Sequence, residues 1–260
     1  MNILVFVKRV PDTESKIKVN RETKSIIEEG LNFIINPNDE FAVEEALRLK
    51  EAKGGQITVI SVGSEESLTT LKKCLAMGAD EAALIKDDLK ETYDGLRTAK
   101  IIARAVERKF PAFDLLLFGK QAMGADNLQV PSMVAEMLDL PQANVVTKLE
   151  VDGQKGTAVR EIEGASEKVV FTLPAVVSAQ KGLNEPRYET LKGIMAAKKK
   201  VVPVITIEEL GLSKEDVAPL VEATKMDMPP ARHAGKIIQG TPEEAAKQLV
   251  SLLRREAKVI

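Results

Sequence analysis

Short apolar runs alternate with amphipathic stretches through the first half of the chain. Residues 3–7 form an apolar run that stops at Lys8 and Arg9, which predicts a buried strand. A polar stretch follows, then apolar residues 31–35 and a clear helix start. Asn36 can cap, Pro37 suits the first turn, and Asp39 and Glu40 complement the positive end of the helix dipole. That helix puts Ala42, Ala46 and Leu49 on one face and stops at Gly54 and Gly55. Residues 57–62 predict a second strand, 67–77 a helix closed by Gly78, and 82–85 a third strand. A helix over 96–110 turns Ile101, Ala105 and Phe110 inward, 114–118 is another buried strand, and 128–138 a helix with Pro131 in its first turn. Strands alternating with amphipathic helices predict a doubly wound α/β fold, its sheet mostly parallel and covered on both faces.

After Pro141 the texture changes. Residues 145–151, 158–162, 168–173 and 175–178 are strand candidates separated by turns at Asp152-Gly153 and Glu163-Gly164. They predict an antiparallel addition to the parallel sheet. Beyond Gln180 the chain is polar, carries the basic run Lys198, Lys199 and Lys200, and then reaches the segment 203–207. A Pro- and Met-rich stretch leads to a last helix, with Thr241 as cap, Pro242 next and Glu244 at the capping-box position. The expected organisation is an α/β domain over 1–180 and a partner-clasping arm over 181–260, since so weakly periodic a stretch does not pack alone.

Composition narrows the chemistry. Of 260 residues, 37 are basic and 39 acidic, a net charge of −2 that gives no reason to expect a nucleic-acid or anionic-membrane surface. One Cys excludes an internal disulfide and a Cys-based zinc site, and one His leaves no room for multi-histidine chemistry. The opening apolar run is too short for a signal-peptide core, and no stretch approaches a membrane span, so the cytoplasm is the expected compartment.

In open α/β sheets ligands sit at the carboxyl ends of the strands. Three such ends are candidates here: Val7-Lys8-Arg9, Val62-Gly63-Ser64, and the strand at 114–118 running into GKQAMGADNLQ. In that last loop Gly119, Ala122, Gly124 and Ala125 let a ligand approach the backbone, and Gln121, Asp126, Asn127 and Gln129 offer groups suited to a ribose or phosphate. Gly119 and Gly124 have P-loop spacing, but Ala125-Asp126 stands where Lys and Ser/Thr are required. The bland alternatives are a glycine-containing turn here and a plain helix cap at Asn36-Pro37-Asn38-Asp39. Cys74 reads as a small core residue, His233 as a loop or interface residue, Glu161 and Glu163 as a solvated strand face, and the lysine run as solvated charge.

Six blocks then carry a resemblance: VFVKRVPD, NPNDEFAVEEALRLKE, CLAMGAD, GKQAMGADNLQVPSMVAEMLDLP, REIEGASEKVVFTLPAVVS and NEPRYETLKGIMAAKKK. In this order they resemble the beta subunit of electron transfer flavoprotein over nearly the whole chain. The stretch 158–178 is close to that family's signature, with Ala165 where Gly or an acid is usual.

The resemblance implies a non-catalytic electron-carrier subunit in a heterodimer. The alpha subunit carries the redox FAD, and the beta subunit wraps it with a C-terminal arm. It also implies a nucleotide in this chain, AMP in most members and a second FAD in electron-bifurcating ones. Carried over by motif, its contacts fall at Phe6, at Asn36, Pro37, Asn38 and Asp39, and at Val62. They continue along Gly119, Lys120, Gln121, Ala122, Met123 and Gly124 to Ala125, Asp126, Asn127, Leu128, Gln129 and Val130. The family's docking segment for acyl-CoA dehydrogenases of fatty acid oxidation matches Asn184, Glu185, Pro186, Arg187 and Tyr188, then Leu191 as apolar anchor, and Ile194. A membrane quinone-reducing acceptor is a further implied partner, and nucleic acid is not. Met123 to Gln129 matches neither the acidic AMP-type loop nor the bifurcating one. The docking segment is similar to the non-bifurcating type, so AMP is the expected nucleotide and FAD the alternative. A stand-alone nucleotide-processing enzyme is the remote one.

Overall fold

A chain of short apolar strands and helices can hide both faces of its sheet only by wrapping helices on either side. The structure, a computed structural model, has that arrangement; it describes residues 1–88, 94–230 and 234–260, and His233 lies outside the described residues. Two compact units are present, Met1–Met226 and Asp227–Ile260.

The first unit begins with the central strand β1 (Asn2–Phe6). Two short antiparallel pairs follow, β2 (Arg9–Pro11) with β5 (Phe33–Ile35), and β3 (Val19–Asn20) with β4 (Ser25–Ile26). Helices and strands then alternate: α1 (Pro37–Lys53), β6 (Gln56–Gly63), α2 (Leu68–Met77), β7 (Glu81–Lys86), α3 (Gly95–Lys109), β8 (Leu115–Gly119) and α4 (Val130–Met137). The antiparallel set is β9 (Gln142–Asp152), β10 (Lys155–Ile162) and β11 (Ala165–Thr172), after which β12 (Ala175–Ala179) returns beside β8. The unit closes with α5 (Leu191–Lys199) and the short strand β13 (Val204–Ile205).

Among the described residues the main sheet has nine strands in the order β11-β10-β9-β12-β8-β1-β6-β7-β13. From β12 to β13 neighbouring strands are parallel, and β9 is the hinge of the sheet, parallel to β12 and antiparallel to β10. This is the expected doubly wound fold with its antiparallel addition. The pleat of β1 sends Ile3 and Val5 into the core under α1 and α2, and Leu4 and Phe6 into the core under α3 and α4. Each fully buried Ile or Leu stabilises the fold by about 1.5–3 kcal/mol. Ala42, Ala46 and Leu49 of α1 face inward as expected, and so do Ile101 and Ala105 of α3, while Cys74 is a core residue whose thiol pKa burial pushes up.

Several local expectations shift, each for a physical reason. The helix expected from residue 128 starts at Val130, because Asp126 and Leu128 adopt left-handed backbone with φ of 46° and 52°. A 3-10 turn at Glu65–Ser67 occupies the start expected for α2. Glu163 sits in the turn after β10, not on an alternating strand face. The polar segment after Gln180 contains α5, unannounced by periodicity. Thr190 caps it by accepting from the Gly193 N–H at 3.0 Å, and Gly193 lets it press on α2, where a Cβ would lie 2.1 Å from the Ala76 carbonyl. The basic run is not all solvated: Lys200 donates to the carbonyls of Ala79 and Asp80.

The second unit contains α6 (Pro242–Leu252) with the expected capping box. The Thr241 N–H donates to the Glu244 carboxylate at 2.9 Å, and the Glu244 N–H donates back to the Thr241 hydroxyl at 3.4 Å. None of its described residues is buried, and Ile237, Leu249, Val250, Val259 and Ile260 are exposed. No helix among the described residues is long and apolar enough to cross a membrane.

Candidate functional site

The strand order dictates where a ligand can enter. From β1 the chain winds to β6 and β7 on one side, and later to β8 and β12 on the other. The connections therefore leave β1 in opposite directions, and a crevice opens at the carboxyl ends of β1, β6 and β8. A cavity of about 640 Å³ lies there, inside the rough 300–1,000 Å³ range of small-molecule sites.

Its frame is the first turn of α1. Asp39 is buried, and its carboxylate accepts from the Lys8 N–H just past β1 at 2.7 Å and from the Gly119 N–H at the end of β8 at 3.1 Å. One side chain thus ties two neighbouring strand ends to a helix start. Asn36 ties the next loop. Its amide donates to the Gln121 carbonyl at 2.8 Å and accepts from the Met123 N–H at 3.1 Å, and Asn38 donates to the same Gln121 carbonyl at 3.0 Å. Asn36 occupies the cap position of α1, but its side chain makes no capping bond because the loop takes both of its polar atoms.

Close approach explains Gly119. A Cβ there would stand 2.3 Å from Asp39 Oδ1 and 2.5 Å from the Asn38 carbonyl carbon. Burial raises the Asp39 pKa from 3.8 to about 7, against the lowering pull of the Lys8 N–H, the Asn36 amide and the Gly119 N–H.

The stacked rings of Phe6 and Phe118, with centroids 4.6 Å apart, line the cavity at the strand ends. On the α3 side Asp94 caps the helix by accepting from the Arg97 N–H at 3.0 Å, and it also accepts from the Leu220 N–H at 2.7 Å. Burial pushes the Asp94 pKa up, but the N–H groups of Leu220, Arg97, Leu96 and Val221 together hold it below the usual carboxylate value. Arg97 forks onto Asp87 and donates to the Val217 carbonyl at 2.5 Å. At the carboxyl end of β7 Lys86 pairs with Glu65 at 2.7 Å, and Arg9, also on the cavity wall, lies over the Phe33 ring at 3.4 Å from its centroid. Among the described residues no cluster of His, Cys, Asp and Glu could hold a metal ion.

Of the residues expected at this site, Phe6, Asn36, Asp39, Val62, Gly119, Lys120, Gln121, Ala122, Ala125, Asn127 and Val130 line the cavity. Pro37 opens α1, and Asn38 acts from behind through Gln121. Met123, Gly124, Asp126, Leu128 and Gln129 belong to the same loop without lining the cavity; Asp126 accepts from the Gln121 amide at 2.6 Å. The wall formed by Asp87, Asp94, Gly95 and Arg97 was not expected, nor the one formed by Ile26, Glu28 and Phe33. The Asp94-Gly95 pair before an amphipathic helix was the readable signal for the first wall; the second carried none.

The expected docking residues gather on α1 and α5. The Asn184 amide donates to the Phe41 carbonyl and to Glu45, and Arg187 grips Glu44 and Glu51. Ile194 packs against the core, while Tyr188 and Leu191 stand 93% and 84% exposed. Glu185 and Pro186 bridge these anchors along the chain.

A glycine-walled crevice at a topological switch point suits a nucleotide, and comparison with known proteins now specifies the lineage. The sequence model of the electron transfer flavoprotein domain matches residues 23–210. The electron transfer flavoprotein subunit beta of Bacillus subtilis is 47% identical, with all of both chains covered. That of Mus musculus is 38% identical, over 95% of this chain and 96% of its own. The caffeyl-CoA reductase-Etf complex subunit CarD of Acetobacterium woodii is 35% identical, over 98% of this chain and 99% of its own.

The chain belongs to the electron transfer flavoprotein beta-subunit family.

As such a beta subunit it serves electron transfer, has an alpha subunit as partner, and works in a complex that carries FAD. Its cavity has room for a small-molecule ligand: the volume is sufficient, Gly119 has no Cβ, and the Asn36 clamp presents loop residues 120–122 to the space.

Two predictions follow from the latch in this beta subunit. Gly119→Ala forces a methyl group against Asp39 and the α1 backbone; urea denaturation should show a loss of about 1–3 kcal/mol or more. The second concerns pH. Since the Asp39 pKa is about 7 folded and near 3.8 unfolded, its contribution is fully present below pH 3.8 and is lost as pH rises to about 7. Denaturation midpoints measured from pH 4 to 8 should therefore fall more steeply in the wild type than in Asp39→Asn, by up to about 1.4 kcal/mol per pH unit.

Proposed function

We propose that this beta subunit is a structural and docking component of an electron carrier. In this reading it binds AMP in the switch-point cavity, holds the alpha subunit whose FAD carries the electrons, and offers α5 and the residues before it to acyl-CoA dehydrogenases. The observation that carries the reading is the latch of Asp39 and Asn36. Two polar side chains at the start of one helix shape a ligand cavity and serve no reacting group. Flavin-based transfer depends on the proximity and tuning of the cofactor, so this chain needs to supply only binding and orientation.

The residues lining the cavity would hold the nucleotide, with Gly119, Ala122 and Ala125 allowing close backbone approach and Phe6 and Phe118 giving an apolar wall. A second reading, FAD in this chain of a bifurcating complex, draws support from the reach of the cavity to Ile26 and Phe33, well beyond the loop after β8. The docking segment, similar to the non-bifurcating type, favours AMP.

Residues 181–260 are the partner-facing part in this proposal and residues 1–180 the nucleotide-binding part. Support comes from the second unit, where none of the described residues is buried although Ile237, Leu249 and Val250 are apolar. A segment of that kind buries its apolar groups against another chain. Reoxidation at a membrane quinone-reducing flavoprotein and a cytoplasmic location complete the reading.

Denaturing the purified heterodimer and identifying the released nucleotides tests it. One FAD and one AMP per heterodimer are expected. Two FAD would replace AMP by the second reading, and a lone chain that turns over ATP without bound nucleotide would overturn both.

A further inference from the structure

The docking segment divides into residues that face inward and residues that face outward. Arg187 donates from Nε to Glu44 at 2.9 Å and from Nη2 to the other Glu44 oxygen at 3.0 Å, while Nη1 and Nη2 reach Glu51 at 2.5 and 3.1 Å. Its backbone N–H also donates to Glu44 at 3.1 Å. Its guanidinium is thereby engaged by two carboxylates about two turns apart on the outer side of α1. These carboxylates raise the Arg187 pKa, and Arg187 in turn holds the Glu51 carboxyl below its usual value.

Three residues upstream, Asn184 makes a second attachment to α1 at Phe41 and Glu45. Burial raises the Glu45 pKa, against the Asn184 hydrogen bond. Glu44 and Glu45 are buried, unusual for glutamates on the outer side of a helix, because this segment lies over them. Between these attachments and the Gly193 contact on α2, Tyr188 and Leu191 stand 93% and 84% exposed, and Met195, just past that contact, 66%. Apolar side chains held outward from a segment fixed at both ends lose little freedom on binding, the condition for a pre-organised anchor.

We infer that Arg187, gripped by Glu44 and Glu51, is a positioning residue for docking, fixing the segment so that Tyr188, Leu191 and Met195 meet the partner dehydrogenase. The inference rests on the docking reading above. Arg187 offers the partner little itself, since most of its donors are taken by α1. A lysine cannot reproduce its planar, two-carboxylate grip.

The test uses the intact heterodimer as electron acceptor for an acyl-CoA dehydrogenase. KM and kcat are measured for wild type, Arg187→Ala, Arg187→Lys, Glu51→Gln and Leu191→Ala, with flavin and nucleotide content checked for each. Glu51→Gln alters an exposed residue and keeps the test valid if Arg187→Ala folds poorly. Arg187→Ala should raise KM for the heterodimer about tenfold, an ordinary loss for an anchor contact, with kcat within about twofold. Arg187→Lys and Glu51→Gln should fall between it and the wild type. Amides of residues 188–195 should exchange hydrogen faster in Arg187→Ala. Wild-type KM in the Arg187 and Glu51 variants, with KM raised by Leu191→Ala, would overturn the positioning role and leave the docking reading standing. No change in any variant would overturn the docking reading itself.

Discussion

The carboxylate of Asp39 is the interaction on which the site depends. It reaches two backbone N–H groups that belong to different strands, Lys8 after β1 and Gly119 at the end of β8. Those strands are neighbours, but their connections depart in opposite directions, so nothing else in the topology requires their ends to stay in fixed register with a helix start. The two cores fix the sheet; Asp39 fixes what the sheet presents. Its burial is the cost of this arrangement and pushes the carboxyl pKa up to about 7. Three donors around it keep that cost bearable, and the absence of a side chain at Gly119 lets the contact form at all.

From this turn α1 acts as a beam. Its first turn holds the cavity through Asn36, Asn38 and Asp39, and its middle and last turns hold the segment before α5 through Glu44, Glu45 and Glu51. A helix of 17 residues spans about 25 Å, so one rigid element sets the geometry of both surfaces. This accounts for a helix whose buried residues include two glutamates besides its alanines and leucines. One face packs on the sheet and part of the other is covered by the segment it positions.

Much of this was legible beforehand. The strand runs, the switch from parallel to antiparallel texture after Pro141 and the capping box at Thr241 all express local rules, and local rules survive folding. The loop after β8 was legible as a site because Gly, Ala and short amides cluster there. Asn36 illustrates the limit. Its position identified a helix cap, but a loop 85 residues away took its side chain, and no local pattern encodes that pairing. α5 was invisible for a related reason: its stability comes from Gly193 against α2 and from Arg187 on α1, both contacts distant in sequence, and its exposed leucine and methionine blur any apolar stripe. The cavity wall at Ile26 and Phe33 comes from short strands whose pairing depends on the fold already being in place.

The most direct test removes the loop clamp while leaving the cores untouched. In heterodimer purified with Asn36→Ala, the nucleotide retained by the beta subunit is quantified after denaturation, alongside the wild type. Loss of both hydrogen bonds to residues 121–123 should leave well under one equivalent bound, with the alpha-subunit FAD still present. A full equivalent of nucleotide, held as tightly as in the wild type, would contradict the claim that this turn of α1 builds the site.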